Sequence, residues 1–270
     1  MIILPAIDLY DKKAVRLYKG NYAEMTVYSE HPEEIALDFP APDKPNIPYI
    51  SPLSTLKETL SKTFRLSNDL NNHYAIIGMG IVADNYPLYY EATNEKGLSM
   101  AGLNFPGNAV YYDYDDKKDN VAPFEFIPWI LGQSASVKEA LCLLEKINLL
   151  NINFSEYLPA APLHWLLSDK EQSITIESVK DGLKIYDNPW GVLTNNPTFD
   201  YHLLNMHPYM SLYEGGSQNT LNPELALENY SLGFGALGLP GDFSSTSRFV
   251  KACYVKSKSV CPETEKDAVN

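Results

Sequence analysis

Cysteine is scarce in this chain, and its spacing indicates neither a metal centre nor a disulfide framework. The three cysteines, Cys142, Cys253 and Cys261, form no CxxC or CxxH pair, whereas zinc sites and disulfide-rich domains depend on close cysteine spacings. We expect no bound metal, and no motif indicates another cofactor. Cys142 falls in an apolar stretch with helical periodicity, where we expect a buried thiol.

Long apolar runs and excess positive charge are also missing. No run of about 18 apolar residues occurs, which argues against a membrane span, and the first residues lack the basic and apolar regions of a secretory signal. The 34 acidic side chains outnumber the 21 basic ones, giving a net charge of −13. Because such a field repels phosphate backbones, we expect no binding of nucleic acid. The lack of a secretory signal and of a membrane span favours a cytoplasmic protein.

The pattern of apolar residues predicts an α+β protein. Apolar residues make up 45% of the chain and charged residues 20%, the balance of a globular protein. A capping box at Ser136 and Glu139 predicts a helix to about residue 150, and Pro32 followed by two acids predicts a shorter one over 32–39. Alternation and turn signals predict strands at residues 2–7, 15–18, 74–79, 98–105, 163–168, 173–177 and 183–186.

A cluster of five prolines separates the beginning of the chain from the rest. We interpret residues 40–52 as a junction without regular structure, because proline removes a backbone donor and interrupts helices and strands. The predicted organisation is an N-terminal fragment, a junction that is proline-rich at its start, a main domain and a polar tail, at residues 1–39, 40–73, 74–255 and 256–270 respectively.

Six short segments of the main domain, taken together and in order, resemble the choloylglycine hydrolase family. This family includes bile salt hydrolases and penicillin V acylases. Each segment alone is a common turn-rich or aromatic sequence, and it is their shared order along the chain that carries the resemblance. The matching segments are residues 86–87, 94–98, 101–106, 163–165, 191–200 and 238–249.

The resemblance implies a fold and three site residues. The family fold is the αββα sandwich of N-terminal-nucleophile hydrolases. Asn104 and Asn195 resemble the residues that contact the oxyanion and the substrate amide, and an amide N–H can stabilise an oxyanion without titrating. Arg248 resembles the arginine beside the nucleophile, where a cation favours a thiolate. Without the family, both asparagines are equally typical of turns, and the arginine of a surface ion pair.

The family's nucleophile has no counterpart in this sequence. It is a cysteine directly after the initiator methionine, whose free α-amine acts as the base, whereas residue 2 here is isoleucine. The Arg-x-x-Asp pattern that follows it in the family is absent as well, and the chain closes soon after the last matching segment. We therefore expect a sandwich that is incomplete at both ends and a chain without hydrolytic activity.

The expected ligands are conjugated bile salts or similar N-acyl amides. Asn104 favours the bile salt branch, since penicillin acylases tend to carry tyrosine at the matching position. A non-catalytic protein that binds bile acids is the alternative. Residues 205–235 resemble the inserted loop of the family's tetramers, so a homo-oligomer is expected.

The first 39 residues resemble a different family, the ribotide isomerase of histidine biosynthesis. That enzyme is a TIM barrel whose first strand ends in a catalytic aspartate, which Asp8 matches. A single βα unit cannot close an eight-fold barrel, so we do not expect isomerase activity. This alternative function is supported by residues 1–39 alone. A chimeric or truncated chain is a further interpretation of the join.

Overall fold

The computed structural model describes residues 73–83 and 86–260, together with the backbone of four strands at 8–10, 13–18, 21–29 and 47–51. The strand predicted over residues 2–7 and the helix predicted over 32–39 lie outside the described residues. The chain divides into two compact units. The first comprises Met1–Gly102, Tyr111–Ala161 and Leu167–Glu171, and the second comprises Leu103–Val110, Pro162–Leu166 and Gln172–Asn270.

The first unit begins with a three-stranded antiparallel sheet. Strands β1 (Asp8–Tyr10), β2 (Lys13–Tyr18) and β3 (Asn21–Ser29) follow one another in that order. Asp8 stands opposite Val15 at the start of β1. The strand predicted at residues 15–18 is confirmed within β2.

Four more strands, which belong to the first unit except for Leu103 and Asn104 at the end of β7, are neighbours in the order β4-β5-β6-β7. They are β4 (Ile47–Ser51), β5 (Ile76–Ala83), β6 (Tyr86–Asn94) and β7 (Ser99–Asn104), and each pair is antiparallel. The prediction that residues 40–52 hold no regular structure is wrong for 47–51. Pro48 is accommodated because β4 is outermost among the described strands, and edge strands are where sheets tolerate proline.

Asn94 closes the turn between β6 and β7 and joins it to a buried helix. Its Oδ1 accepts from the backbone N–H groups of Lys96 and Leu98, and its Nδ2 donates to the carbonyls of Leu131 and Ser134 at 2.8 and 2.7 Å. That helix, α1 (Phe126–Gln133), follows a 3₁₀ turn at Pro123–Glu125. Almost every residue of α1 is buried, so it forms the apolar centre of this unit.

Helix α2 (Val137–Leu144) confirms the predicted capping box but is shorter than predicted. Ser136 Oγ accepts from the Glu139 N–H at 3.3 Å. The helix does not reach residue 150, because Ile147–Leu149 forms strand β9, parallel to β8 (Asp119–Val121). The prediction that Cys142 is buried is wrong: its thiol is exposed, since it lies on the helix face opposite the buried Ala140.

The second unit contains the strands β11 (Ser173–Val179), β12 (Gly182–Asp187) and, except for its last two residues, β10 (Leu163–Ser168), in the order β12-β11-β10. All three strands predicted in this region are confirmed. Helix α3 (Phe199–Asn205), a 3₁₀ turn at His207–Tyr209 and helix α4 (Ser245–Lys258) follow. The core of the unit is an apolar cluster of Leu193, Phe199, Phe249 and Cys253. Sheets with a few helices confirm the predicted α+β class. Among the described residues, no helix is long and apolar enough to cross a membrane.

Candidate active site

The candidate site lies on the loop between β12 and α3, which is fixed to the first turn of α4. Thr194 Oγ1 donates to the Ser245 carbonyl at 3.0 Å, and Ser245 Oγ donates back to Thr194 Oγ1 at 2.9 Å. The same Ser245 Oγ accepts from the Asn195 N–H at 2.8 Å. Each hydroxyl therefore both donates and accepts, and together they set the position of the Asn195 backbone.

The Asn195 side chain joins the two other residues that the sequence singled out. Its Nδ2 donates to the Asn104 carbonyl at 2.8 Å, and its Oδ1 accepts from Arg248 Nη2 at 2.8 Å. A guanidinium can only donate and a carbonyl can only accept. The chemistry of its two partners thus fixes which way the amide faces.

His202 fixes the backbone carbonyl of Asn195. Its Nε2 donates to the Asn195 carbonyl at 2.9 Å, and its ring stacks on Phe249 with 4.7 Å between centroids. Burial of the imidazole lowers the pKa of His202, so the neutral form with a proton on Nε2 is the one that fits this bond.

Arg248 is carried on the first turns of α4, whose N-terminus is capped by side chains. Ser244 Oγ accepts from the Ser247 N–H at 3.2 Å, and Ser247 Oγ donates to the Asp242 carboxylate at 2.6 Å. Hydrogen bonds from Ser244 and Ser247 hold the pKa of Asp242 well below its usual range. The Arg248 Nε also donates to the Phe243 carbonyl at 3.2 Å, which leaves its outer nitrogens directed to Asn195 and solvent.

A buried histidine and a buried glutamate lie beneath the same loop. His164 Nδ1 is 3.0 Å from Glu177 Oε1, and both side chains have no exposed surface. His164 Nε2 contacts the Thr194 carbonyl at 2.7 Å, and Glu177 Oε1 accepts from the Phe199 N–H at 3.0 Å. The His164 ring also stacks on Phe105, the residue after Asn104, with 4.2 Å between centroids.

The structure therefore brings together Asn104, Asn195 and Arg248, which the sequence selected from three distant segments. Asp8, the isomerase-like acid, lies in β1 of the first unit, and only its backbone is described. Sequence reasoning missed His164, Glu177 and His202. A signal for the first existed, since Leu163–Trp165 is one of the matching segments. Alternation gave none for Glu177, because it assigns Ile174 and Ile176 to the buried face and Glu177 to the other one, whereas the interior residues of β11 are buried on both faces.

Among the described residues, the exposed part of the site is a set of N–H donors that no carboxylate contacts by a hydrogen bond or ion pair. Within the described residues, the Asn104 side-chain amide makes no hydrogen bond and Arg248 pairs with no carboxylate. No cluster of three or more His, Cys, Asp or Glu suited to a metal occurs in the same part of the chain. Such an arrangement can receive an anionic oxygen, including one that develops on an amide carbonyl.

A family model for linear amide C–N hydrolases, the choloylglycine hydrolase family, matches residues 49–270. The chain belongs to the choloylglycine hydrolase family. A second family model, for histidine biosynthesis proteins, matches residues 2–47. Both resemblances found in the sequence are thereby confirmed.

Similar proteins agree with this family. The chain is 56% identical over 207 residues to a bile salt hydrolase/transferase of Lactiplantibacillus plantarum, covering 77% of this chain and 64% of that protein. A crystal structure of a variant conjugated bile acid hydrolase from Clostridium perfringens matches with a TM-score of 0.64 at 39% identity, over 68% of this chain and 57% of that one.

A penicillin V acylase structure from Agrobacterium tumefaciens matches with a TM-score of 0.53 at 24% identity, over 73% of this chain and 52% of that one, which supports the fold alone. The N-terminal-nucleophile hydrolase fold expected from the sequence is confirmed by these likenesses. The chain spans about three-fifths of the length of the curated relatives it matches.

Proposed function

We propose that the site formed by Asn104, Asn195 and Arg248 binds the acyl amide group of glycine- or taurine-conjugated bile salts. The observation that carries the proposal is the continuous contact from the Asn104 carbonyl through the Asn195 amide to Arg248. Relatives that are bile salt hydrolases support this substrate class over penicillins, as does asparagine rather than tyrosine at position 104.

In the family's chemistry a thiolate attacks the amide carbonyl, and the tetrahedral intermediate collapses to a thioester acyl-enzyme as the C–N bond breaks and glycine or taurine leaves as the protonated amine. Water then hydrolyses the thioester to the free bile acid and restores the thiol. In this chemistry the Asn104 amide and the second N–H of Asn195 Nδ2, whose first N–H is bonded to the Asn104 carbonyl, donate to the oxyanion of the tetrahedral intermediate. Arg248 supplies a positive charge that favours an anion beside it. These three roles are carried over from the family resemblance to the residues that match it.

We expect this 270-residue chain to bind such amides without cleaving them. Residue 2 is isoleucine, and its side chain has no atom that can act as the thiolate does in the family. The chain then acts as a bile-acid-binding homologue, in which the donors of the site contact the amide but no acyl-enzyme forms.

Calorimetric titration of the purified full chain with glycocholate and taurocholate tests the binding step, and a parallel assay for free glycine or taurine tests turnover. We expect binding without release, and weaker binding by Arg248→Met by about tenfold. The control is Lys180→Met, which makes the same charge change at an exposed turn between β11 and β12. Absence of binding contradicts the proposal, and release of glycine or taurine contradicts the expected inactivity.

Isomerase activity has weaker support. The matching family model covers only residues 2–47 of this chain, and one βα unit supplies neither the closed barrel nor the phosphate-binding loops of the TIM fold. We expect no binding of a bisphosphorylated ribotide, and the same calorimetric titration with that ligand checks it.

A further inference from the structure

The buried pair His164–Glu177 contacts both ends of the short segment that carries Asn195. His164 reaches the Thr194 carbonyl, immediately before Asn195, and Glu177 accepts the N–H of Phe199, at the first residue of α3. The two side chains come from neighbouring strands, β10 and β11. Residues 195–198 are thus held between two fixed points that belong to one hydrogen-bonded pair.

The proton count of this pair is constrained by its partners. A carbonyl only accepts, so His164 Nε2 must carry a proton to bond the Thr194 carbonyl. The contact between His164 Nδ1 and Glu177 Oε1, at 3.0 Å, then needs a second proton, which either group can carry. Glu177 Oε1 also accepts from Phe199, so this one oxygen joins the His164 ring to the start of α3.

Burial of such a pair costs desolvation free energy, because two charged or polar groups are removed from water. Replacement of buried ion pairs by apolar residues is often neutral or stabilising. His164 and Glu177 have no exposed surface, and stability alone gives no reason for them here. Their contacts do give a reason, since both lead to the segment of Asn195.

We propose that His164 and Glu177 are positioning residues for the choloylglycine-hydrolase-type site: they fix the segment 194–199 and so set the orientation of the Asn195 side-chain amide. Neither touches the acyl amide itself. His164 also stacks on Phe105, so one ring supports both asparagine segments. The consequence for ligand affinity rests on the proposed function, whereas the effect on Asn195 does not.

The test uses the ¹⁵N-labelled full chain without ligand and follows the side-chain amide signals of Asn195, assigned by their loss in Asn195→Asp. Glu177→Gln keeps the shape of the side chain and its bond to Phe199. Neutral His164 then has one N–H for two acceptors, the Thr194 carbonyl and the new amide oxygen. His164→Asn keeps a donor toward Glu177 and removes the bond to Thr194 together with the ring that stacks on Phe105. We expect both variants to shift the Asn195 signals and to weaken glycocholate binding by about tenfold.

Ile176→Ala is the matched control, since Ile176 is a fully buried neighbour of Glu177 on the opposite face of β11. It should lower stability and leave the Asn195 signals in place. Unchanged Asn195 signals in folded Glu177→Gln and His164→Asn would overturn the proposal. Failure of both variants to fold would assign the pair to folding and overturn it too. If the wild type binds no bile salt, the proposed function fails while the test on Asn195 still stands.

Discussion

The guanidinium of Arg248 contacts the side-chain amide of Asn195 across 53 positions of sequence, with 2.8 Å between Nη2 and Oδ1. The other end of that amide donates to the Asn104 carbonyl. A half-turn of the amide would place a donor against the guanidinium and an oxygen against the carbonyl. Both contacts would be lost together, so Asn195 has one productive orientation.

Asn195→Asp should remove the contact with the Asn104 carbonyl and keep the contact with Arg248. The new carboxylate still accepts from Arg248 but repels the Asn104 carbonyl and has no N–H for a ligand. We expect glycocholate affinity to fall by about tenfold or more, measured by calorimetry. Asn153→Asp, the same change at an exposed position of the first unit, should leave affinity unaltered, and a similar loss there would refute a local effect.

Phe249→Ala should strongly destabilise the second unit. The Phe249 side chain is fully buried in the cluster with Leu193, Phe199 and Cys253, and removal of a buried aromatic ring costs about 3–5 kcal/mol. Urea unfolding followed by circular dichroism measures this change. Phe243→Ala removes the same ring where it is 90% exposed and should alter the free energy of unfolding by about 0.5 kcal/mol or less.

Stability should fall in mild acid through His202. Burial lowers its pKa in the folded chain, so below the ordinary value the unfolded chain takes up a proton that the folded chain does not. Stability is therefore complete above the ordinary pKa of 6.5 and is lost as the pH falls toward the lowered value. Urea unfolding at pH 7.5 and 5.5 checks this. His202→Asn should show a smaller pH difference than the wild type, while His207→Gln, at an exposed position, should match it.

The two described cysteines should differ widely in reactivity. Burial raises the pKa of the Cys253 thiol to about 12, and that side chain has no exposed surface, whereas Cys142 is exposed. Thiolate is the reactive form, so iodoacetamide should label Cys142 in the folded chain and Cys253 only after unfolding. Peptide mass spectrometry reports each site separately. Equal labelling of both under native conditions would contradict the structure.

Much of the fold could be predicted where local pattern and tertiary packing agree. The strands β10, β11 and β12 were predicted from alternation, because each exposes one side more than the other or ends in a clear turn. The predicted helix ran too far at Ile147–Leu149, since only pairing with the distant β8 turns that apolar run into a strand. Pro48 was assigned to a break for a similar reason, because its strand depends on a partner elsewhere in the chain.

The site was predictable only in part. The spacing and order of the matching segments predicted Asn104, Asn195 and Arg248 as site residues. The sequence does not show that the Asn195 amide contacts both of the others. The pair of His164 and Glu177 escaped prediction because each residue, taken alone, resembles an ordinary polar member of a strand. The two residues form a pair only through a contact between neighbouring strands, which the local sequence does not encode.

Three of the four bonded polar groups of Asn195 have partners that are distant in sequence, and this affects when the site can form. Its partners Asn104, Arg248 and Ser245 lie 91, 53 and 50 positions away. Contacts of such sequence separation form only once the loops between the partners have closed, which costs chain entropy. In a compact chain that lacks these contacts, the Asn195 side-chain amide therefore has no fixed orientation. A ligand of this site selects the completed second unit, and the midpoint of thermal unfolding should rise with its concentration.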